Sequence, residues 1–281
     1  MQIYIPFSGL KNQSFKARLP KSLGTAYLCL VQNLTEIGLL IGVGFLAGII
    51  NTLAGGGSLI TLPILIFLGL PPAIANGTNR IAIVIQSLFG SMGYRSKGFM
   101  PNQFTLYLGV SASLGALLGA RIAIDIEGVL FNRILAIIML VVGALIVVSP
   151  KQKIGTFQQR LQGKYFFGAL IGFFIIGIYG GFINAGIGFV IMLFLTQINH
   201  LDLISTNATK VTVVCIYSFF ALGTFAWNGM VEWMTGLWMA LGTSFGAWFT
   251  SRWSVKKGEK VVKISLLIMV SAMSVKLWFF S

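Results

Sequence analysis

Ten apolar stretches fill most of the chain, at about 36–53, 58–69, 76–94, 104–124, 131–149, 165–184, 187–198, 205–226, 232–250 and 260–279. Short polar, glycine or proline turns separate them. Most are long enough to cross a bilayer as α-helices, and none shows the two-residue alternation of a membrane strand. The second and seventh are too short. The twelve residues of 58–69 reach about 18 Å as helix, against roughly 30 Å of hydrocarbon. Both short stretches follow an interruption. Each is expected to be a broken or re-entrant element whose freed backbone faces protein or a water-filled hollow.

The pattern is also duplicated. A shift of 130 residues lays Gly55-Gly56 on Ala185-Gly186, Asn76 on Thr206, Asn79 on Thr209, and Arg80 on Lys210. Duplicated halves with interrupted helices are a mark of secondary transporters. The expected fold is all-α: a polytopic membrane protein of two inverted repeats, each of about five segments with a short broken or re-entrant helix. It divides into an N-terminal tail (1–35), a first transmembrane repeat (36–149), a cytoplasmic linker (150–164) and a second repeat (165–281).

Composition agrees. With 56% hydrophobic and 9% charged residues, the chain lacks the charge to cover a soluble globule. Its formal charge of +14 raises nucleic acid as a partner, but the basic residues gather in short loops. Lys151, Lys153, Arg160 and Lys164 share one, Arg252, Lys256, Lys257, Lys260 and Lys263 another, and Arg95 with Lys97 a third. The positive-inside rule produces that distribution, so membrane lipids are expected as neighbours and nucleic acid is not. With those loops cytoplasmic, their counterparts fall outside. The 227–231 loop has no basic residue, and 121–133 sets Arg121 and Arg133 against Asp125 and Glu127. Matching loops on opposite faces make the halves inverted, with both termini outside. The tail residues Lys11, Lys16, Arg18 and Lys21 oppose this orientation but precede the repeat. Cys29 and Cys215 stand apart in apolar sequence and form no disulfide framework.

The candidate chemistry centres on Arg80 and Lys210, each about five residues, or some 7 Å, into its expected helix. The six acids Glu36, Asp125, Glu127, Asp202, Glu232 and Glu259 all lie near segment ends, so a carboxylate partner is hard to arrange. An unpaired buried cation is costly, and a mobile anion is its natural counter-charge. Snorkelling to the headgroups is the competing reading. Asn76, Thr78, Asn79, Thr206, Asn207 and Thr209 add uncharged hydrogen-bonding groups. For Asn76, Ser205 and Thr206, helix capping after turns such as Pro71-Pro72 competes on equal terms. Gly55-Gly56-Gly57-Ser58 breaks a helix outright and frees N–H groups where a helix dipole favours an anion. Asn184-Ala185-Gly186 does the same in the other half. Asn51 and Asn184 flank the breaks, and Gln86, two turns past Arg80, is a weaker candidate. His200, beside Asp202, is read as a surface residue rather than a proton relay. No nucleophile–base or metal constellation stands out, so neither an enzyme nor a cofactor is expected.

These residues resemble the sulfite exporter TauE/SafE family. The resemblance rests on the Gly55–Ser58 turn, the Leu62-Pro63 step and the Ala75-Asn76-Gly77-Thr78-Asn79-Arg80 run. The weaker copy in the second half and Gly115-Ala116-x-x-Gly119-Ala120, matched by Gly242–Ala247, also carry it. It spans about 36–280 and implies a permease with inverted halves, moving sulfite, sulfonates or related organic anions across the cell inner membrane. Members of that family often have Lys where Arg80 stands, and residues 1–35 have no counterpart there. The expected function is a secondary anion transporter with a central cationic site. An anion channel and a non-transporting membrane subunit are the alternatives, and homo-oligomerisation is left open.

Overall fold

Glycines and prolines punctuate the apolar runs, and the helices start and stop beside them. The structure is a computed structural model that describes residues 21–96, 98, 102–148 and 159–252. Its helices are α1 (Lys21–Ala54), α2 (Ser58–Phe67), α3 (Pro72–Arg95), α4 (Gln103–Asp125), α5 (Gly128–Val148), α6 (Lys164–Phe182), α7 (Ile187–Gln197), α8 (Leu203–Trp227) and α9 (Trp233–Arg252). The tenth expected segment and most of the basic loops lie outside the described residues.

Helix α1 begins at Lys21, inside the expected tail, and α5 begins three residues early at Gly128; the starts of α3 and α8 differ from expectation for one reason. Pro72 opens α3 at its first position, four residues ahead of Asn76, because proline has no N–H to lose there and its φ suits a helix. Asp202 caps α8, with its carboxylate accepting from the Ile204 and Ser205 N–H groups at 2.9 and 3.0 Å. Asn76 and Thr206 therefore lie inside their helices and are not N-caps. Arg80 and Lys210 become the ninth and eighth residues of α3 and α8. That places them about 12 Å from the helix starts rather than 7 Å, which weakens the snorkelling reading.

The chain is a multi-pass α-helical membrane protein. Among the described residues, five helical stretches are long and apolar enough to cross a bilayer: Leu34–Thr52, Gln103–Asp125, Gly128–Leu145, Lys164–Phe182 and Leu203–Trp227. Their outer faces are apolar. Phe167, Ile171 and Ile175 form one exposed stripe along α6, and Val110, Leu114 and Leu118 another along α4. A lipid solvent accepts such stripes and water does not. The inner face of α4 is instead small, with Ala112, Gly115, Ala116, Gly119 and Ala120 buried. Helix α3 inverts the usual pattern, burying Asn76, Thr78, Asn79, Arg80, Gln86 and Ser87.

Helix packing obeys the 130-residue relation. That shift takes α1, α2, α3 and α4 onto α6, α7, α8 and α9. The close pair α1–α9 maps onto α6–α4, α3–α9 maps onto α8–α4, and α3–α8 maps onto itself. The first helix of each half thus packs on the fourth helix of the other half. Both of these interfaces are backbone to backbone. A Cβ on Gly177 would stand 2.1 Å from the Ala112 carbonyl oxygen, and one on Gly48 would stand 2.3 Å from that of Thr243. With no hydrophobic drive between helices in lipid, such small-residue faces supply the association through van der Waals contact.

Candidate functional site

Two broken helices meet near the middle of the molecule. Helix α1 ends at Ala54, and Gly55 turns the chain at a φ of 73° before α2 begins. Helix α6 ends at Phe182, and Asn184 and Gly186 turn it at φ values of 62° and 69° before α7. The left-handed region suits glycine and tolerates asparagine, which explains the residues found there. The breaks touch each other. A Cβ on Gly55 would lie 2.4 Å from the Gly188 carbonyl carbon, and the Ser58 hydroxyl donates to the Asn184 carbonyl at 2.7 Å.

A broken helix leaves its last carbonyls without intrahelical partners, carrying about half a negative charge in all. Arg80 is fully buried on α3 and meets those of α6. Its Nη1 donates to the Gly180 carbonyl at 2.5 Å, and its Nη2 to Gly181 at 2.7 Å and to Asn76 Oδ1 at 3.2 Å. Asn76 Nδ2 donates in turn to the Phe182 carbonyl at 2.6 Å. The guanidinium also lies 5.7 Å from the centre of the Phe225 ring. Among the described residues, only its Nε lacks an acceptor.

Lys210 on α8 approaches the matching helix end of the other half, where the Asn51 carbonyl already accepts from the Gly55 N–H at 2.9 Å. Its Nζ donates to the Asn51 carbonyl in the last turn of α1 at 3.4 Å, to Asn207 Oδ1 at 2.8 Å, and lies 3.5 Å from Met192 Sδ. Asn51 and Gly181 are themselves 130 residues apart. Each half therefore sends a cation to the broken helix end of the other. Among the described residues, neither cation is paired with a carboxylate.

The two cations differ in what lies beside them. Lys210 borders a cavity of about 20 Å³, enclosed by Asn51, Thr52, Gln86, Ser87, Gly90, Asn184, Ile187, Gly188, Val211 and Val214. Arg80 is absent from its lining. That volume admits about one water molecule, so the centre is closed in this conformation. The cavity brings together Lys210, Asn51 and Asn184 of the expected site residues, along with the weaker candidate Gln86.

The other expected residues lie elsewhere. Thr78 accepts from the Glu232 N–H at 2.9 Å, Thr206 donates to the Leu201 carbonyl at 3.3 Å, and Thr209 meets Thr105 at 3.3 Å. Asn79 is buried, and neither of its amide atoms has a partner among the described residues. Gly56 and Gly57 accept from the first N–H groups of α2, and Gly57 N–H bonds Asn51 Oδ1 at 3.4 Å. Gly186 packs against Val142 of α5. Sequence reasoning missed Ser87 and Tyr217. They occupy matched positions, each seven residues past its cation and so on the same helical face. Ser87 lines the cavity, and the Tyr217 hydroxyl donates to Asn184 Oδ1 at 2.5 Å, holding that amide at its edge.

The family model of the sulfite exporter TauE/SafE matches residues 40–277. The chain belongs to the TauE/SafE family. Among TauE/SafE relatives, it is similar to the probable membrane transporter protein ORF9 of a Sinorhizobium species, at 30% identity over 83% of this chain and 88% of that one. It is also similar to the probable membrane transporter protein YfcA of Escherichia coli, at 29% identity over 86% and 89%, and to one from Haemophilus influenzae, at 28% over 86% and 94%. No solved structure matches the chain.

In this TauE/SafE chain the α8 cap gives a direct pH test. Partial burial alone would raise the Asp202 carboxyl, but donors from Ser205 and Ile204 outweigh it and hold the group below its usual value. A depressed carboxylate contributes stability above its unfolded value, near 3.9, and loses it as pH falls through the folded one. Asp202→Ala is expected to cost about 1 kcal/mol at neutral pH. In thermal melts of the purified protein, the gap from wild type should close in acid below about pH 4. A gap independent of pH would contradict this capping role.

Proposed function

We propose that this chain is a secondary transporter of small anions, sulfur-containing or organic, working across the cell inner membrane by alternating access of two inverted halves. One observation carries the proposal. Two cations are buried in the centre, and their described partners are helix-end carbonyls, amide oxygens and one thioether. A helix end supplies about half a negative charge, so each cation is left partly uncompensated in a medium of low dielectric. A passing anion completes the neutralisation. The TauE/SafE match and the transporter names of the relatives support the same reading, and so does the exchange of cations between matched halves. A closed cavity beside Lys210 fits one state of an alternating cycle.

Reconstitution in proteoliposomes tests this. Uptake of sulfite, thiosulfate, short sulfonates and carboxylates is to be measured side by side. Saturable uptake of at least one, accelerated by unlabelled anion inside, is the expected result. A non-saturating current in planar bilayers would instead show a channel, and no flux of any anion would leave a non-transporting subunit.

A further inference from the structure

We propose that the cavity beside Lys210, closed here to about one water molecule, widens in another state of the cycle into the anion subsite, that it takes a singly charged oxyanion, and that Arg80 is a positioning residue that never touches the anion. The proposal rests on the anion-transport reading above.

The contrast between the cations comes first. Arg80 spends both terminal nitrogens on adjacent carbonyls, shares Asn76 with a third, and stands beside Phe225. Releasing it would strip the end of α6 of its buried donors, which native structures avoid. Lys210 has one short bond, to Asn207, and two contacts at 3.4 and 3.5 Å. A flexible ammonium held that loosely can turn to a ligand at little loss.

The lining of the cavity supplies the second observation. Gln86 and Ser87 are 6% and 3% exposed, face the cavity, and have no hydrogen-bond partner among the described residues. Asn184 spends its Oδ1 on Tyr217 and leaves its Nδ2 without a described acceptor. Three uncharged donors thus converge with one ammonium, a set that suits oxygens of an anion. Among the described residues, Lys210 is the one full charge on the lining. A dianion would bury a second negative charge with no cation to meet it. Ile187, Val211 and Val214 form the apolar part of the lining and offer nothing to a second charged group.

The test compares methanesulfonate with sulfate, two tetrahedral ions of similar size and different charge, by thermal shift of the purified full chain at equal ionic strength. Methanesulfonate should raise the melting temperature of wild type and sulfate should not. Lys210→Gln should lose the shift, and Ser87→Ala should weaken apparent affinity about tenfold, the usual worth of a hydrogen bond to a charged group. Arg80→Lys should melt lower yet bind methanesulfonate with wild-type affinity, and in liposomes should reduce the maximal rate with KM unchanged. Asn76→Ala, which loosens the same contact, should behave alike and decides the point if the Arg80 variant does not fold. Equal stabilisation by sulfate, a shift that survives Lys210→Gln, or an Arg80→Lys affinity as poor as that of Lys210→Gln would overturn the assignment. If Lys210→Gln binds normally while wild type transports, only the subsite falls. If no anion binds and none is taken up, the transport reading falls with it.

Discussion

Lys210→Ala is expected to abolish anion uptake while the protein still inserts and folds. Among the described residues the cavity lining has one full positive charge, and without it an anion entering the centre stands uncompensated. Leaving one partner of a buried charge pair alone costs about 3–5 kcal/mol. That corresponds to a fall in uptake of roughly two to three and a half orders of magnitude. Insertion moves the other way, because removing a lysine from within a spanning helix favours it, by up to about 2.5–3.5 kcal/mol at a helix centre on insertion scales. The Asn51 carbonyl loses only a 3.4 Å contact, so α1 should keep its end. Uptake by the variant in proteoliposomes, normalised to inserted protein, checks the claim. Retention of even a tenth of wild-type flux would remove Lys210 from the path.

The second large effect is expected at the meeting of the two breaks. Gly55→Ala places a methyl group 2.4 Å from the Gly188 carbonyl carbon, on a residue whose φ of 73° already disfavours a side chain. The left-handed backbone costs an L residue about 1–2 kcal/mol, and overpacking adds about 1–3 kcal/mol. Neither flank can yield easily, since both are main chain. The variant should melt well below wild type and lose transport. Gly38→Ala makes the control: among the described residues nothing lies within 4 Å of its Cβ position, and its backbone is helical. Equal melting of the two variants would show that the breaks do not press backbone against backbone.

Much of this arrangement was legible before any coordinates. The nine described helices follow the apolar stretches, and both short helices sit where length alone excluded a full crossing. The 130-residue relation, read from Arg80, Lys210 and their neighbours, reappears in the helix pairs and in the matched acceptors Gly181 and Asn51. The starts of α3 and α8 were misplaced because Pro72 and Asp202 act as first-turn residues, while Asn76 and Thr206 merely have capping chemistry.

The partners of the cations were not legible, for a physical reason. A search for counter-charges counts carboxylates, and the chain has six acids, all near segment ends. The acceptors used here are main-chain carbonyls at two helix ends, which no residue type announces. Ser87 and Tyr217 carried a signal that went unused. A repeat shift compares positions by identity, and a serine matched to a tyrosine looks like noise until both are seen seven residues beyond a cation.

Access to the centre from each side of the membrane tests the alternating cycle most directly. Gly90 lines the cavity and has room for a side chain, with Val211 3.5 Å from its Cβ position. In a background with Cys29→Ala and Cys215→Ala, Gly90→Cys is to be exposed to a membrane-impermeant thiol reagent in right-side-out and in inverted vesicles. Labelling in both orientations, slowed from each side by the transported anion, is the expected result. Labelling from one face alone, or at a rate the anion does not change, would contradict it.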